Sequence, residues 1–415
     1  MNASELKGKT IAFAGSGGLD SCTITRWLTD QGVKVVSVTL DLGQPDESSL
    51  DEVKQRMLAS GAQDAVVVDG RAALAEEGLK VIQSQATYEG DYWNTTGIAR
   101  HVTTNLILDV MRQRGIKILS HGATGRGNDQ VRFQLVTNML EPDFDVYAPW
   151  RDQQFLDAFG GRKEMITYCE SKGIPVKASH AKPYSTDANL LGLTHEAGKL
   201  ESLEVGALEI EPEFGVSPVE APDKPEPVEV TFHRGRPTHL NGKKLDLLEL
   251  LELGNKIGGR NGVGIALHLV ENRFVGIKSR GVYETPGMQL LGKAYEYMLQ
   301  LILDRRGRRL FDHLSGMLAE QIYQGYWFDP ASTAAKAAVA HFARFATGTI
   351  KMQLHKGNCH FAAAEDVAHC LYSESAASME KVGEFNHADS EGFLNVLGVS
   401  ARILARMDQI DGQKD

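Results

Sequence analysis

Thr10-Ile-Ala-Phe-Ala-Gly-Ser-Gly-Gly-Leu-Asp-Ser-Cys-Thr-Ile-Thr-Arg-Trp-Leu28 is the stretch that decides the fold class. An apolar run, Thr10 to Gly15, reads as a strand, and Ile24, Trp27 and Leu28 then recur at helical spacing. A strand that turns directly into a helix is the opening of a parallel-sheet unit. The turn between them, Ser16-Gly17-Gly18-Leu19-Asp20-Ser21, suits a phosphate chain. Its glycines let amide N–H groups approach an anion, the helix start adds partial positive charge, and two serines offer hydroxyl donors. It is neither the Gly-x-x-x-x-Gly-Lys-Ser/Thr loop nor the Gly-x-Gly-x-x-Gly fingerprint, which disfavours kinases and dehydrogenases. An ordinary strand-to-helix turn capped by Ser16 or Asp20 is the reading without a ligand.

Working outward, Lys34 to Leu42, Asp64 to Val68 and Ile116 to Ser120 also read as strands, while Val102, Leu106 and Val110 mark a helix. Such alternation predicts a doubly wound α/β domain with a parallel sheet. After about Leu203 the composition shifts: Pro212, Pro218, Pro222, Pro225 and Pro227 crowd an acidic stretch that reads as a linker. A second, α+β unit follows. Val228 to His233 alternates, Asn241-Gly242 signals a hairpin, and Leu245 to Leu253 reads as a helix. Helical patterns cover 288–304, 308–323 and 331–346, before a hairpin at Lys356-Gly357. Ser390 is the expected cap of a terminal helix whose Phe393, Leu397, Ala401 and Leu404 share a face, docked on its own domain or on a neighbouring subunit.

At 415 residues the chain has room for two or three domains. Forty-four basic against 54 acidic residues give a net charge of −10, which argues against a general nucleic-acid binder. The basic run Arg305-Arg306-Gly307-Arg308-Arg309 is the one feature pointing the other way, and cations near a helix end are commonplace. The amino terminus lacks a signal-peptide pattern and no apolar stretch reaches transmembrane length, so a soluble, cytoplasmic protein without membrane partners is expected. Cys22, Cys169, Cys359 and Cys370 are scattered, so neither a disulfide framework nor a protein-held metal is expected.

A second cluster, Ser120-His121-Gly122-Ala123-Thr124-Gly125-Arg126-Gly127-Asn128-Asp129-Gln130-Val131-Arg132-Phe133, again follows a predicted strand. In open α/β sheets this edge binds ligands. Thr124, Asn128 and Arg132 can hold carboxylates or phosphates, and Asp129 can accept from an N–H group.

Here the chain resembles a known family. Ser-Gly-Gly-x-Asp-Ser is similar to the pyrophosphate loop of N-type ATP pyrophosphatases, and His121 to Phe133 resembles the nucleotide-and-aspartate segment of argininosuccinate synthase. Tyr88 to Arg100, Tyr184 to Glu196, Val270-Glu271-Asn272-Arg273 and Lys278 to Pro286 resemble the same family in order and spacing. The resemblance implies an adenine nucleotide alpha hydrolase-like ATP domain over residues 1–175, a synthetase domain over 176–375 and a C-terminal arm over 376–415 that joins subunits of a homotetramer. It implies a ligase joining citrulline to aspartate with ATP as co-substrate and Mg²⁺ beside it, releasing AMP and pyrophosphate through a citrullyl-adenylate.

By that resemblance Ser16, Gly17, Gly18, Asp20, Ser21, Leu40, Gly122, Thr124 and Asp187 belong to the ATP site. Thr124, Asn128 and Asp129 fall on the aspartate positions. Tyr92, Asn128, Arg132, Ser185, Thr194, Glu196, Glu271 and Tyr283 fall on the citrulline positions, with Asp129, Arg132 and Ser185 nearest the chemistry. Gly97 stands where many members carry a serine that contacts citrulline, and Thr95 or Thr96 is its expected substitute. Rival readings are a related ligase acting on another ureido or amide acceptor, a tRNA-modifying adenylase, and a nucleotide sensor without catalysis. The tRNA enzyme would be expected to carry a catalytic cysteine pair and a basic surface.

Overall fold

The computed structural model describes residues 1–45, 49–125, 127–175, 184–380, 382–383 and 386–410. The expected domain boundary at 175/176, Arg126 and part of the polar stretch before the terminal helix lie outside the described residues. Met1–His369 forms one compact unit and Cys370–Asp415 a second.

Five strands, β1 (Thr10–Ala14), β2 (Lys34–Asp41), β3 (Asp64–Asp69), β4 (Ile118–His121) and β5 (Asp145–Tyr147), make an all-parallel sheet in the order β3-β2-β1-β4-β5. Its helices are α1 (Leu19–Asp30), α2 (Leu50–Ala59), α3 (Arg71–Ser84), α4 (Thr95–Arg114) and α5 (Asp129–Leu140), followed by α6 (Gln153–Ala158) and α7 (Arg162–Ser171). The doubly wound fold expected from the alternating pattern is therefore present. Ile11, Phe13 and Val35 point into a core shared with Ile24 and Leu28 of α1, whereas Ala12, Val36 and Val38 point the other way, onto α3 and α4. Both faces are covered, which is why these strands read as near-continuous apolar runs. Strand order reverses between β1 and β4, so the turns leaving their carboxyl ends open a crevice.

The rest of the first unit contains β6 (Ser185–Asn189), β7 (Gly192–Glu196), β8 (Glu226–His233), β9 (Arg236–Leu240), β10 (Lys243–Lys244), α8 (Leu247–Arg260), β11 (Leu267–Asn272), β12 (Lys278–Glu284), α9 (Pro286–Ile302), α10 (Arg305–Gln324), α11 (Pro330–Ala343), β13 (Gly348–His355) and β14 (Asn358–Glu365). They build two antiparallel sheets, β10-β9-β8-β13-β14 and β11-β12-β7-β6. The core that lines one face of the parallel sheet runs on without a break into Leu250, Leu291, Met298 and Ile350. That continuity makes Met1–His369 a single unit.

Two details differ from the sequence reading. Helix α8 starts at Leu247 because Asp246 caps it, accepting the Glu249 N–H at 2.9 Å, and it continues to Arg260. In the second unit, α12 (Glu374–Ala377) precedes α13 (Ala388–Arg406), whose cap position is His387; Ser390 lies in its first turn and is not the cap. Within that unit Phe393, Leu397 and Leu404 are exposed.

Candidate active site

The turn after β1 is pre-formed. Ser21 Oγ accepts the Ser16 N–H at 3.1 Å and lies 3.0 Å from Ser16 Oγ, while the Gly18 N–H points at Ser16 Oγ from 3.4 Å. Gly15 lets the turn pass close to β2, since a Cβ there would stand 2.2 Å from Ser37 Oγ and force that side chain to move. Asp20, in the first turn of α1, reaches out of this turn to the wall of a cavity of about 270 Å³. Burial raises its carboxyl above the usual range.

Four other parts of the fold close the cavity. The turn from β4 into α5 contributes Gly122, Ala123, Thr124, Gly127, Asn128, Asp129 and Arg132. Tyr92 and Thr96 come from the start of α4. The four-stranded antiparallel sheet supplies a row, because Asp187 on β6 sits opposite Thr194 on β7, and Thr194 opposite Tyr283 on β12. Side chains two residues apart share a face, so Glu196 follows Thr194 onto the same side. Glu271 and Arg273 complete that side, and Tyr323 of α10 the floor.

Local contacts hold these elements in register. Leu190, in the turn between β6 and β7, donates its N–H to Leu42 O at 2.7 Å, tying the hairpin to the end of β2. Thr96 Oγ1 and Thr194 Oγ1 meet at 3.0 Å. Asn94 precedes α4 in a left-handed conformation (φ 53°) that asparagine tolerates, and its amide donates to Ala86 O and Ala319 O. Behind β7, the buried Glu284 carboxylate accepts from His195 Nε2 at 2.5 Å and from the backbone of Glu213 and Phe214. Tyr92 stacks on Tyr283 and Tyr88 on Tyr323, with ring centroids 4.1 and 3.8 Å apart.

Charge of both signs meets in the cavity. Asp129 accepts from Arg100 Nε at 2.8 Å and from Arg132 Nη1 at 2.8 Å. Burial works against its charge, yet the two guanidinium groups outweigh burial and bring its pKa down to about 2. Arg100 also pairs with Asp187, whose carboxyl is nevertheless pushed up by burial. Arg132 donates Nε–H to Tyr323 O at 3.0 Å and lies over that ring. Glu196, raised by burial, faces Arg273 Nη2 at 3.3 Å. Arg273 Nε also donates to Ser279 Oγ at 2.6 Å, and Ser279 in turn donates to Glu271 Oε1 at 2.9 Å. Such a cavity can take ligands carrying ammonium and carboxylate groups beside a phosphate chain.

Residues 10–175 match the family described as "Arginosuccinate synthase N-terminal HUP domain", and residues 184–404 match "Arginosuccinate synthase C-terminal domain". An argininosuccinate synthase of Rhodopirellula baltica is 45% identical over 401 residues, which is 96% of this chain and 98% of that protein. Argininosuccinate synthases of a Thermotoga species and of Desulfitobacterium hafniense are 38% and 37% identical, over 95% and 97% of this chain and 97% and 99% of theirs. The chain belongs to the argininosuccinate synthase family.

Argininosuccinate synthases are ATP-dependent ligases that condense citrulline with aspartate, which is the activity the motifs led us to expect. Of the residues singled out from the sequence, Asp20, Tyr92, Gly122, Thr124, Asn128, Asp129, Arg132, Asp187, Thr194, Glu196, Glu271 and Tyr283 line the one cavity. Ser16, Gly17, Gly18 and Ser21 form the neighbouring turn outside its wall, and Leu40 is buried in β2. Ser185 is exposed at the start of β6, opposite Glu196 and beyond the wall.

Asn128 does not cap α5; its Oδ1 accepts the Phe274 N–H at 3.0 Å and so ties the turn to the β11–β12 hairpin. Around Gly97 the two substitutes considered for a missing hydroxyl differ. Thr96 lines the cavity, whereas the Thr95 hydroxyl is buried and has no hydrogen-bond partner among the described residues.

Arg100 and Tyr323 were not singled out from the sequence. Arg100 follows Thr96 by four residues, one helical turn, which places both on one face and was the available signal. Tyr323 lies in an ordinary amphipathic pattern on α10 and carries none.

Proposed function

We propose that this cavity is where the chain activates citrulline and joins it to aspartate, with the nucleotide's outer phosphates on the turn after β1 and its α-phosphate near Asp20 and Gly122. One observation carries the reading: Asp129, Arg132, Thr194, Glu196, Glu271 and Tyr283, from four separate segments, converge on a cavity that Asp20 joins to a phosphate-type turn. The ureido oxygen of citrulline attacks the α-phosphorus and pyrophosphate leaves. The amine of aspartate then attacks the ureido carbon, loses a proton, and AMP departs with the electrons of the C–O bond. Adenylation is needed because a free urea carbon is a poor electrophile, and no covalent enzyme nucleophile is required.

The residue roles are those the family resemblance implies, supported by charge and reach for the residues that line the cavity. Tyr92, Asn128, Arg132, Ser185, Thr194, Glu196, Glu271 and Tyr283 hold citrulline, the carboxylates meeting its ammonium. Thr124, Asn128 and Asp129 hold aspartate. Asp129 stays ionised through the working pH range, and a carboxylate with four acceptor sites keeps capacity beyond its two arginines. Ser16, Gly17, Gly18, Asp20, Ser21, Leu40, Gly122, Thr124 and Asp187 hold ATP. Catalysis then rests on alignment and on charge placed where the transition state needs it.

No group of three or more candidate metal ligands occurs among the described residues. Mg²⁺ commonly rides on phosphates with one or two carboxylates and several waters. Asp20 and Asp187, which both line the cavity, fit that limited role. When bound, the ion would neutralise charge on the phosphates.

The division at residues 1–175, 176–375 and 376–415, a cytoplasmic setting, the absence of nucleic-acid partners and a homotetramer joined through the C-terminal arm complete the proposal. The exposed apolar residues of α13 support the last point. Light scattering of the purified protein is expected to give four times the mass of 45.4 kDa, and a monodisperse monomer would refute it.

The central test is an omission assay. Pyrophosphate and AMP should form from ATP only when citrulline and aspartate are both present. Nucleotide binding without turnover would point to a sensor, and turnover with a different acceptor to a specialised relative.

A further inference from the structure

Gly17, in the phosphate-type turn, has a left-handed backbone (φ 68°) and a carbonyl that faces inward. That carbonyl accepts Arg56 Nε–H at 3.1 Å, with Cys22 Sγ also donating from 3.6 Å. Arg56 stands on α2 and is only 7% exposed. Its helix forms the bed of the turn. A Cβ on Gly17 would come 2.9 Å from Val53 Cγ1 and 3.1 Å from Arg56 Nε and Nη2, and one on Gly15 would come 3.2 Å from Met57 Cε. Glycine at both positions lets the turn settle directly onto the guanidinium. Glu52, exposed one helical turn back, lies 3.8 Å from Arg56 Nη1.

In a trans peptide the C=O and N–H point in opposite directions. Clamping the Gly17 carbonyl inward therefore turns the Gly18 N–H outward, to the exposed side of the turn, where the Ser16 hydroxyl lies 3.4 Å away. A buried guanidinium beneath the same turn also adds positive charge close to any anion resting on it, at a depth where screening is weak.

We propose that Arg56 is a positioning residue for the pyrophosphate half of the nucleotide: it sets the Gly17–Gly18 amide and supplies charge from below without touching the ligand. This deepens the functional reading above and rests on its placement of the outer phosphates. The sequence offered no hint of it, because Arg56 lies in no motif and its helix reads as an ordinary amphipathic one.

The test is calorimetric titration of full-length wild type, Arg56→Met and Arg56→Lys with inorganic pyrophosphate and, separately, with AMP. Arg56→Met removes both the charge and the Nε–H and should weaken pyrophosphate binding about 10- to 100-fold, the range for a lost charged hydrogen bond. AMP binding should be unchanged, and in turnover the KM for ATP should rise more than kcat falls. Arg56→Lys keeps the charge but not the Nε–H and should fall between, which decides the matter even if the methionine variant does not fold.

A lower melting temperature with wild-type pyrophosphate affinity would show a purely structural role and overturn the proposal, as would equal weakening of AMP and pyrophosphate. Wild-type protein that binds no pyrophosphate would overturn the placement of the outer phosphates as well. Unaltered variants beside a binding wild type would overturn the role of Arg56 alone.

Discussion

Asp129→Ala should abolish turnover, by about 10³-fold or more, while circular dichroism shows an intact fold. In the proposed reaction Asp129 meets the ammonium of aspartate, and no other carboxylate in the β4–α5 turn lines the cavity among the described residues. The substitution also leaves Arg100 and Arg132 facing each other without their shared partner. Removing one member of a fully buried set costs about 3–5 kcal/mol; Asp129 and Arg100 are partly exposed, so the loss is smaller, but a lower melting temperature is expected too. The stability Asp129 contributes has a defined pH window. Its folded pKa is depressed from 3.8 to about 2, so the contribution is complete above the unfolded value and fades as pH falls toward 2. The variant should therefore lose stability at neutral pH and little at very low pH. Loss of one negative charge, with Arg100 still paired to Asp187, should keep ATP affinity at or above wild type. Wild-type rates from this variant would refute the role assigned to Asp129.

The second large effect is expected at Arg100, the cation between Asp129 and Asp187. Arg100→Met should lower kcat by about 100-fold, the scale of losses seen when catalytic groups are misplaced. The pH profile distinguishes this from simple misfolding. Asp187 is already pushed up by burial, with Arg100 opposing the rise. Without the guanidinium, burial and the Asp129 charge act unopposed by it, both carboxyls hold protons to higher pH, and the acid limb of kcat moves upward. Arg100→Lys should rescue only in part, since an ammonium lacks the planar fork that spans two carboxylates. A pH profile that does not move, with kcat near wild type, would remove Arg100 from the site.

Much of the first domain was legible because its signals are local. The run from Thr10 to Ala14 alternates between two cores, and the turn that follows announces itself through Gly17, Gly18 and Asp20. The cluster from Gly122 to Arg132 was legible for the same reason, being a single turn and the start of one helix. The hairpins β6/β7 and β11/β12 were not read as strands. Ser185-Thr-Asp-Ala-Asn189 is too polar to show the pattern of a half-buried strand, although its partner β7 follows after only two residues. Asn128 illustrates the limit well. It occupies the position before a helix where asparagine commonly caps, yet its side chain accepts from the Phe274 N–H, 146 residues away.

Taken by itself, the sequence determined the chemistry on offer and the alternating architecture, because residue type, glycine placement and periodicity are written within a few residues of one another. Which charges face which is set by long-range packing. Arg100 between two aspartates, Tyr323 beneath Arg132 and Arg56 beneath Gly17 each depend on segments brought together by a shared apolar core. Burial, which nothing local encodes, is what drives Asp20, Asp187 and Glu196 upward and gives Arg100 and Arg132 the strength to hold Asp129 down.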